Sequence, residues 1–383
     1  MSWIKNFGLG MSSIVTCYCL LVIGDWYIYK NIAQQLDQNL DYLRAKNIEK
    51  LRRENQDFPL KELALREGFS PTVYPALMDR LNLDHPLIAG LPNTHTFLCN
   101  EGYGLIKYRS DRFGFRNNDE DWDVATKSLM IGDSFVHGAC VDTDQTLPAI
   151  IGKTINGVVL NLGIGSNNPS HYLTYSELFI PKIRPSHVYL VFYANDNGIK
   201  SQSVIEKVYI SGKRQIFSNE GLKLVDLESI TNEGHKAIET IRKEDQDARD
   251  KLRKNLLSRA KSKFLFHFSL PIIRGLVMPT SASFEQTKKA IFSAHKLCET
   301  FECNLTVVFI PNSHFWSPDS RADQYGDDIR ELGYSLNLQV IDGRDIFDRS
   351  EGSEDYAVKG PHLSPDGYKK LATMIVSAAN ATD

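Results

Sequence analysis

Apolar positions along this chain fall into three patterns, each predicting a different kind of element. The first is a run of 19 residues without a charge, NFGLGMSSIVTCYCLLVIG, lying between Lys5 and Asp25. As a helix it spans roughly 28 Å at ~1.5 Å per residue, about one bilayer hydrocarbon core. Trp26, Tyr27 and Tyr29 follow it, where an aromatic belt sits. The run therefore predicts an N-terminal membrane-anchor helix. A cleaved signal peptide ending near Val22 to Gly24 is the rival reading. Positive charges do not fix the orientation, because Lys5 precedes the run and Lys30, Arg44 and Lys46 follow it.

The second pattern is amphipathic. Over residues 31–56, Ile32, Leu36, Leu40, Leu43, Ile48 and Leu51 recur mostly at steps of three and four, which predicts a helix packed on the main domain. The third pattern begins near Lys127, where short apolar runs alternate with helical periods. LMIG (129–132), VVLNLG (158–163), HVYLVFYAN (187–195), LTVVFIP (305–311) and LQVID (338–342) read as strands, the third apolar almost throughout, as a strand covered on both faces must be. Helical patterns occupy about 145–156, 169–181, 281–302, 321–333 and 368–380.

This alternation predicts an α/β fold, a doubly wound, flavodoxin-like parallel sheet of five strands. A helical insertion at about 199–280 interrupts the rhythm, and its charged part, 232–263, reads as a solvated helix. Ahead of the sheet, Gly102–Asn117 reads as a hairpin turning at Ser110-Asp111. The expected organisation is an anchor or signal segment (1–30), a helical stalk and hairpin region (31–120) and the α/β domain (121–383).

Composition narrows the function. The chain of 383 residues carries a net charge of −3, so no basic surplus points to nucleic acid. Six cysteines are too few for a disulfide scaffold. Cys298–Cys303 is a possible bridge that spacing alone does not establish. No histidine pair has metal-ligand spacing, so neither a metal nor another cofactor is expected.

Candidate chemistry lies at strand ends, where open α/β sheets bind ligands. The first strand ends in Gly132-Asp133-Ser134, which exposes a hydroxyl and a backbone N–H at a strand-to-helix turn. The second ends in the small-residue turn Asn161 to Ser166, and the third in Ala194-Asn195-Asp196. Far downstream, His362 precedes the last helix. A serine hydroxyl is a weak nucleophile until a base takes its proton, and imidazole is the base suited to neutral pH. The N–H groups of Ser134 and of the Gly165–Ser166 turn, with the Asn195 amide, are candidate donors to a tetrahedral oxyanion. Asp133 and Asp196 read as turn or cap residues, and His137 as site lining or plain packing.

The blocks IGDSFVHGACV, NLGIGSNNPSHY, LVFYANDN and GPHLSPDGYKKLA, in that order, resemble those of the SGNH (GDSL-like) esterase superfamily. SDRFGFRN ahead of them resembles a segment seen in some members. The resemblance covers about residues 105–380. It implies Ser134 as nucleophile, His362 as base and Asn195 as an oxyanion-hole donor. Two positions depart from the pattern. The family's second-block glycine falls on Ser166, with Gly165 the nearby alternative. The aspartate expected three residues before the histidine is Lys359, which cannot orient an imidazole. Asp355 is the candidate replacement, with Asp366 or a backbone carbonyl as alternatives.

The expected function is hydrolysis of O-acyl esters, chiefly O-acetyl, on a small molecule or a surface polysaccharide, by a domain tethered to the membrane and lying outside the cytoplasm. An O-acyltransferase using the same Ser-His pair, and a catalytically silent binding or assembly protein, are the alternatives.

Overall fold

A computed structural model describes residues 16–24, 27, 75–104, 106–125, 127–196, 202–219, 221–254, 284–316 and 321–380. The chain divides into two compact units, Met1–Lys46 with Glu239–Ser281 and Asn47–Ile238 with Ala282–Asp383. The second holds the sheet and every residue of the candidate site.

Among the described residues of that unit, a hairpin precedes the main sheet. After a short helix, α1 (Pro75–Met78), strand β1 (His95–Phe97) pairs antiparallel with β2 (Lys107–Arg109), Thr96 facing Tyr108. The expected turn at Ser110-Asp111 is instead the start of a loop. The buried Asp111 carboxylate accepts from the Phe113 and Phe115 N–H groups at 2.8 and 2.9 Å, and from Asn117 Nδ2 and Trp122 Nε1, each at 2.8 Å. A carboxylate that gathers four donors folds the backbone around itself, and this competes with strand pairing. Phe113, Phe115 and Trp122 are thereby sunk into an aromatic cluster with Phe179.

The main sheet is parallel and has five strands: β3 (Lys127–Gly132), β4 (Val158–Gly163), β5 (His187–Tyr193), β6 (Asn304–Ile310) and β7 (Gln339–Asp342). Their spatial order is β4-β3-β5-β6-β7, the flavodoxin-like order with its switch point between β3 and β5. Every residue of β3 is buried, and so are all but the first of β4, β5 and β6. Continuous apolar runs form here because helices cover both faces.

Helix α2 (Ser134–His137) follows β3 directly, and α3 (Leu147–Ile155) leads into β4. Next come α4 (Pro169–Ile183), α5 (Leu227–Lys254), α6 (Glu285–Phe301), α7 (Arg321–Ser335) and α8 (Pro365–Asn380). Right-handed crossovers put α3 and α8 on one face and α4, α6 and α7 on the other. In agreement, α4 packs on α6 and α3 on α8. Helix α4 starts where Asn168 accepts from the Ser170 N–H at 3.0 Å and Pro169 fills a position that needs no donor.

Helix α5 supplies the charged helix expected in the insertion. The predicted helix at 31–56 lies outside the described residues. Of the charge-free N-terminal run, residues 16–24 are helical and 6–15 lie outside the description. No helix among the described residues is long and apolar enough to cross a membrane.

Candidate active site

Ser134 opens α2 at the carboxyl end of β3. Asp133 caps that helix, its Oδ1 accepting from the Phe135 N–H at 2.9 Å. Helix α2 lies so close to the end of β4 that a Cβ on Gly163 would come within 2.3 Å of the His137 nitrogen, so only glycine fits there. His362 reaches the same place from the loop before α8. That loop is held by an antiparallel bridge between Tyr356 and Leu363 and by an Ala357 N–H to His362 carbonyl bond of 2.8 Å.

The fold brings the two side chains together across 228 residues, with His362 Nε2 2.9 Å from Ser134 Oγ. The Asp133 Oδ2 lies 3.5 Å from the same hydroxyl, so the imidazole is the better acceptor of its proton. On the other side of the ring, His362 Nδ1 lies 2.7 Å from Glu101 Oε1. The carboxylate's second oxygen accepts from the His362 backbone N–H at 3.2 Å. A carboxylate only accepts, so Nδ1 carries the hydrogen and Nε2 is left free to take one from Ser134. Burial lowers the His362 pKa. The Glu101 charge and hydrogen bond, with a contribution from Asp133, outweigh that and leave it above 6.5.

The acid expected near His362 is therefore not Asp355. That carboxylate is buried and occupied, with Oδ1 2.5 Å from Lys370 Nζ and Oδ2 accepting from the Asp348 N–H at 2.8 Å. It fixes the loop ahead of α8 instead of the imidazole. Asp366 is exposed in the first turn of α8. The carboxylate that meets His362 Nδ1 is that of Glu101, which precedes Ser134 in sequence and lies in the loop between β1 and β2.

The surroundings of Glu101 explain how it gets there. Lys359 donates its backbone N–H to the Glu101 carbonyl at 3.0 Å. Asn100 Oδ1 accepts from the N–H groups of Gly102 and Gly104 at 3.0 and 3.1 Å, which tightens the loop. A Cβ on Gly360 would sit 1.9 Å from Glu101 Cδ, so the glycine two residues before His362 makes room for the acid. A disulfide joins Cys99 to Cys140, and a second joins Cys298 to Cys303.

Of the candidate oxyanion donors, the structure separates Gly165 from the rest. Its N–H is directed to His137 Nδ1 at 3.3 Å and is not available to a substrate. His137 is fully buried, and its Nε2 lies 2.6 Å from Tyr108 Oη. Because Nδ1 accepts, Nε2 donates to the tyrosine. Burial, with the Arg116 charge, holds this imidazole well below its usual pKa and so neutral. His137 thus ties α2 to the β4 loop and to β2. Arg116 adds to that tie by donating to the carbonyls of Gly138 at 2.8 Å and Val141 at 3.0 Å.

Ser166 takes the left-handed backbone, φ 66°, and its N–H has no partner among the described residues. The position matched to a glycine by resemblance has the backbone of one. The Ser134 N–H opens its helix and so has no carbonyl four residues back within it. Asn195, exposed just past β5, makes no side-chain hydrogen bond among the described residues. These three donors stand on loops at the carboxyl ends of the adjacent strands β3, β4 and β5.

The two aspartates adjacent in sequence to these donors, Asp133 and Asp196, are buried. Asp196 Oδ2 accepts from Tyr172 Oη at 2.9 Å and from the Tyr193 N–H at 3.0 Å. Burial pushes the Asp133 carboxyl up to about 6. Asp196 is pushed well above the ordinary carboxyl range by burial, and by the charge on Asp133.

No family model matches the chain, and no curated protein matches it. Solved structures give distant likenesses. A lipase/acylhydrolase from Enterococcus faecalis is 14% identical with a TM-score of 0.36, covering 66% of this chain and 94% of its own. A member of the lipolytic protein G-D-S-L family from Veillonella parvula is 12% identical with a TM-score of 0.34, covering 66% and 97%. An acetyl xylan esterase is 12% identical with a TM-score of 0.36, covering 66% and 98%. Likeness at this level says nothing of what the chain acts on.

Proposed function

We propose that the chain is a serine ester hydrolase of SGNH type that cleaves O-acyl, chiefly O-acetyl, esters through Ser134, His362 and Glu101. One observation carries the reading: an unbroken line of contacts from hydroxyl to imidazole to carboxylate, 2.9 and then 2.7 Å. The four sequence blocks in order add to it. Lys359 at the position where the resemblance expects an aspartate favours a silent protein, and the Glu101 carboxylate 2.7 Å from His362 Nδ1 speaks against it.

In this mechanism Ser134 Oγ bonds to the ester carbonyl carbon while its proton passes to His362 Nε2. Glu101 holds the ring and stabilises the imidazolium that forms. The carbonyl electron pair moves to oxygen, where the N–H groups of Ser134 and Ser166 and the Asn195 amide receive it. Losing one such donor costs about 100–1,000-fold in turnover. The tetrahedral species then breaks its bond to the leaving alkoxide, which takes the proton from Nε2. Water attacks the acyl-serine next, giving its proton to the same nitrogen, and the second collapse returns that proton to Ser134 and releases the carboxylic acid.

The substrate class proposed is an acetylated carbohydrate of the cell surface, reached from a domain tethered to the membrane by its N-terminal segment. Two disulfides favour an oxidising compartment. The test is acetate release from p-nitrophenyl acetate and from an acetylated surface polysaccharide, with wild type beside Ser134→Ala. Turnover of both, abolished in the variant, supports the reading. Turnover of the small ester alone refutes the carbohydrate assignment. Release that the variant leaves intact refutes the serine mechanism. Accumulation of acetylated acceptor in place of acetate identifies a transferase.

A further inference from the structure

The triad acid stands on an unusual support. Glu101 lies between β1 and β2, a hairpin whose own core is Leu98, Ile106 and Tyr108 with Cys99 packed against them. A two-stranded hairpin with so small a core is marginal by itself. Its loop is nevertheless held to the nucleophile's helix by a covalent bond. Cys99 is two residues before Glu101, and Cys140 is three residues beyond the end of α2. Two residues of chain reach at most about 7 Å, so fixing Cys99 confines Glu101 to that radius.

The bond also lies close to the reacting groups. Cys140 Sγ, a Glu101 carboxylate oxygen and a His362 ring nitrogen all lie within 4.8 Å of one another. Cys140 is fully buried and takes a left-handed backbone, φ 65°, which a residue with a side chain keeps only where its surroundings impose it. Other ties on the Glu101 loop are non-covalent: the Lys359 N–H to the Glu101 carbonyl, the Tyr103 side chain to the Val358 backbone, the Asn100 bonds within the loop and the contact of Glu101 with His362 itself.

We infer that Cys99 and Cys140 are positioning residues for the triad, their disulfide setting Glu101 against His362 Nδ1. The inference rests on the Ser134-His362-Glu101 reading. Its scope is narrower than a stabilising crosslink. Breaking the bond releases the acid, the imidazole loses its orienting partner, and turnover falls while the rest of the sheet stays folded. The second disulfide, from the end of α6 to the start of β6, has no such role.

The test compares the full chain with a Cys99→Ala/Cys140→Ala variant, a Cys298→Ala/Cys303→Ala control, Glu101→Gln and the combination of the first with Glu101→Gln. Readouts are kcat and KM on p-nitrophenyl acetate, and the NMR titration of the His362 ring, identified by its loss in His362→Asn. We expect kcat to fall on the order of 10–100-fold, as for misplacement of a catalytic group by about 1 Å, with KM little changed. The His362 titration moves to lower pH, since the Glu101 charge that raises it is displaced. The combined variant is no worse than Glu101→Gln alone, and the control matches wild type. An unchanged kcat and His362 titration overturns the inference. So does a loss that multiplies in full with that of Glu101→Gln.

Should the double variant fail to fold, the Cys298→Ala/Cys303→Ala control is treated with dithiothreitol until a thiol count shows the Cys99–Cys140 bond opened to two thiols, with circular dichroism showing that the protein stays folded. The same two readouts then decide. The NMR titration needs no ester turnover. Failure of the hydrolase reading and failure of this inference therefore appear in different measurements.

Discussion

Two residues define the reactivity of the site by what they leave available. Glu101 occupies Nδ1 of His362, so Nε2 faces Ser134 as an acceptor. Its charge also keeps the imidazole pKa above 6.5 against the effect of burial. The base works only when neutral, so kcat/KM is expected to rise with pH through a midpoint above 6.5, read from a pH profile on p-nitrophenyl acetate. Glu101→Gln removes the charge. It should move that midpoint to lower pH and cut kcat, by up to about 10⁴-fold where the ring also loses its tautomer. A profile that Glu101→Gln leaves in place would contradict the assignment of the acid. Ser166 offers a second residue-scale test. Its left-handed backbone costs roughly 1–2 kcal/mol in a residue with a Cβ, and glycine offsets part of that through its freer unfolded chain. Ser166→Gly should therefore stabilise the fold by about 0.5–1 kcal/mol in urea melts. Because the N–H survives, turnover should stay within about threefold.

The strand-to-loop junctions decide which elements deliver the site, and here the sequence was legible unevenly. Strands β3 to β7 and their helices stood out because burial on both faces writes unbroken apolar runs, and Ser134 and His362 could be located on the ends of those elements. The hairpin departs from what its pattern suggests: the Ser110-Asp111 pair looks like a turn, yet Asp111 is a buried hub for Phe113, Phe115, Asn117 and Trp122. Removing that hub leaves several buried donors without acceptors, so Asp111→Ala should destabilise the protein by about 3 kcal/mol or more. The matching observation is a fall in the urea midpoint together with altered tryptophan fluorescence from Trp122. An unchanged midpoint would show that the loop holds itself by apolar packing alone.

At the scale of the whole molecule, the line from Ser134 through His362 to Glu101 is assembled from three stretches that sequence distance keeps apart. Glu101 went unrecognised because a carboxylate in a glycine-rich loop carries no periodic signal and stands ahead of the nucleophile. The one available clue was negative, a lysine at position 359 where an acid was expected. The Cys99–Cys140 pairing was equally hidden, since cysteine spacing does not give connectivity. Gly165 and Ser166 could not be told apart until the His137 bond to Gly165 showed which N–H was already engaged. The hairpin, the β3 turn and the loop before α8 meet only after the sheet is wound, so the site depends on the fold as a whole.

The central claim is that Ser134 is a nucleophile activated by His362. The most direct measurement is covalent labelling of the full chain with a fluorophosphonate, with the modified residue located by peptide mass spectrometry. The account predicts a single adduct on Ser134, absent in Ser134→Ala and formed far more slowly in His362→Asn. An unlabelled wild-type protein, or an adduct on Ser134 that forms at the same rate without the imidazole, would contradict it.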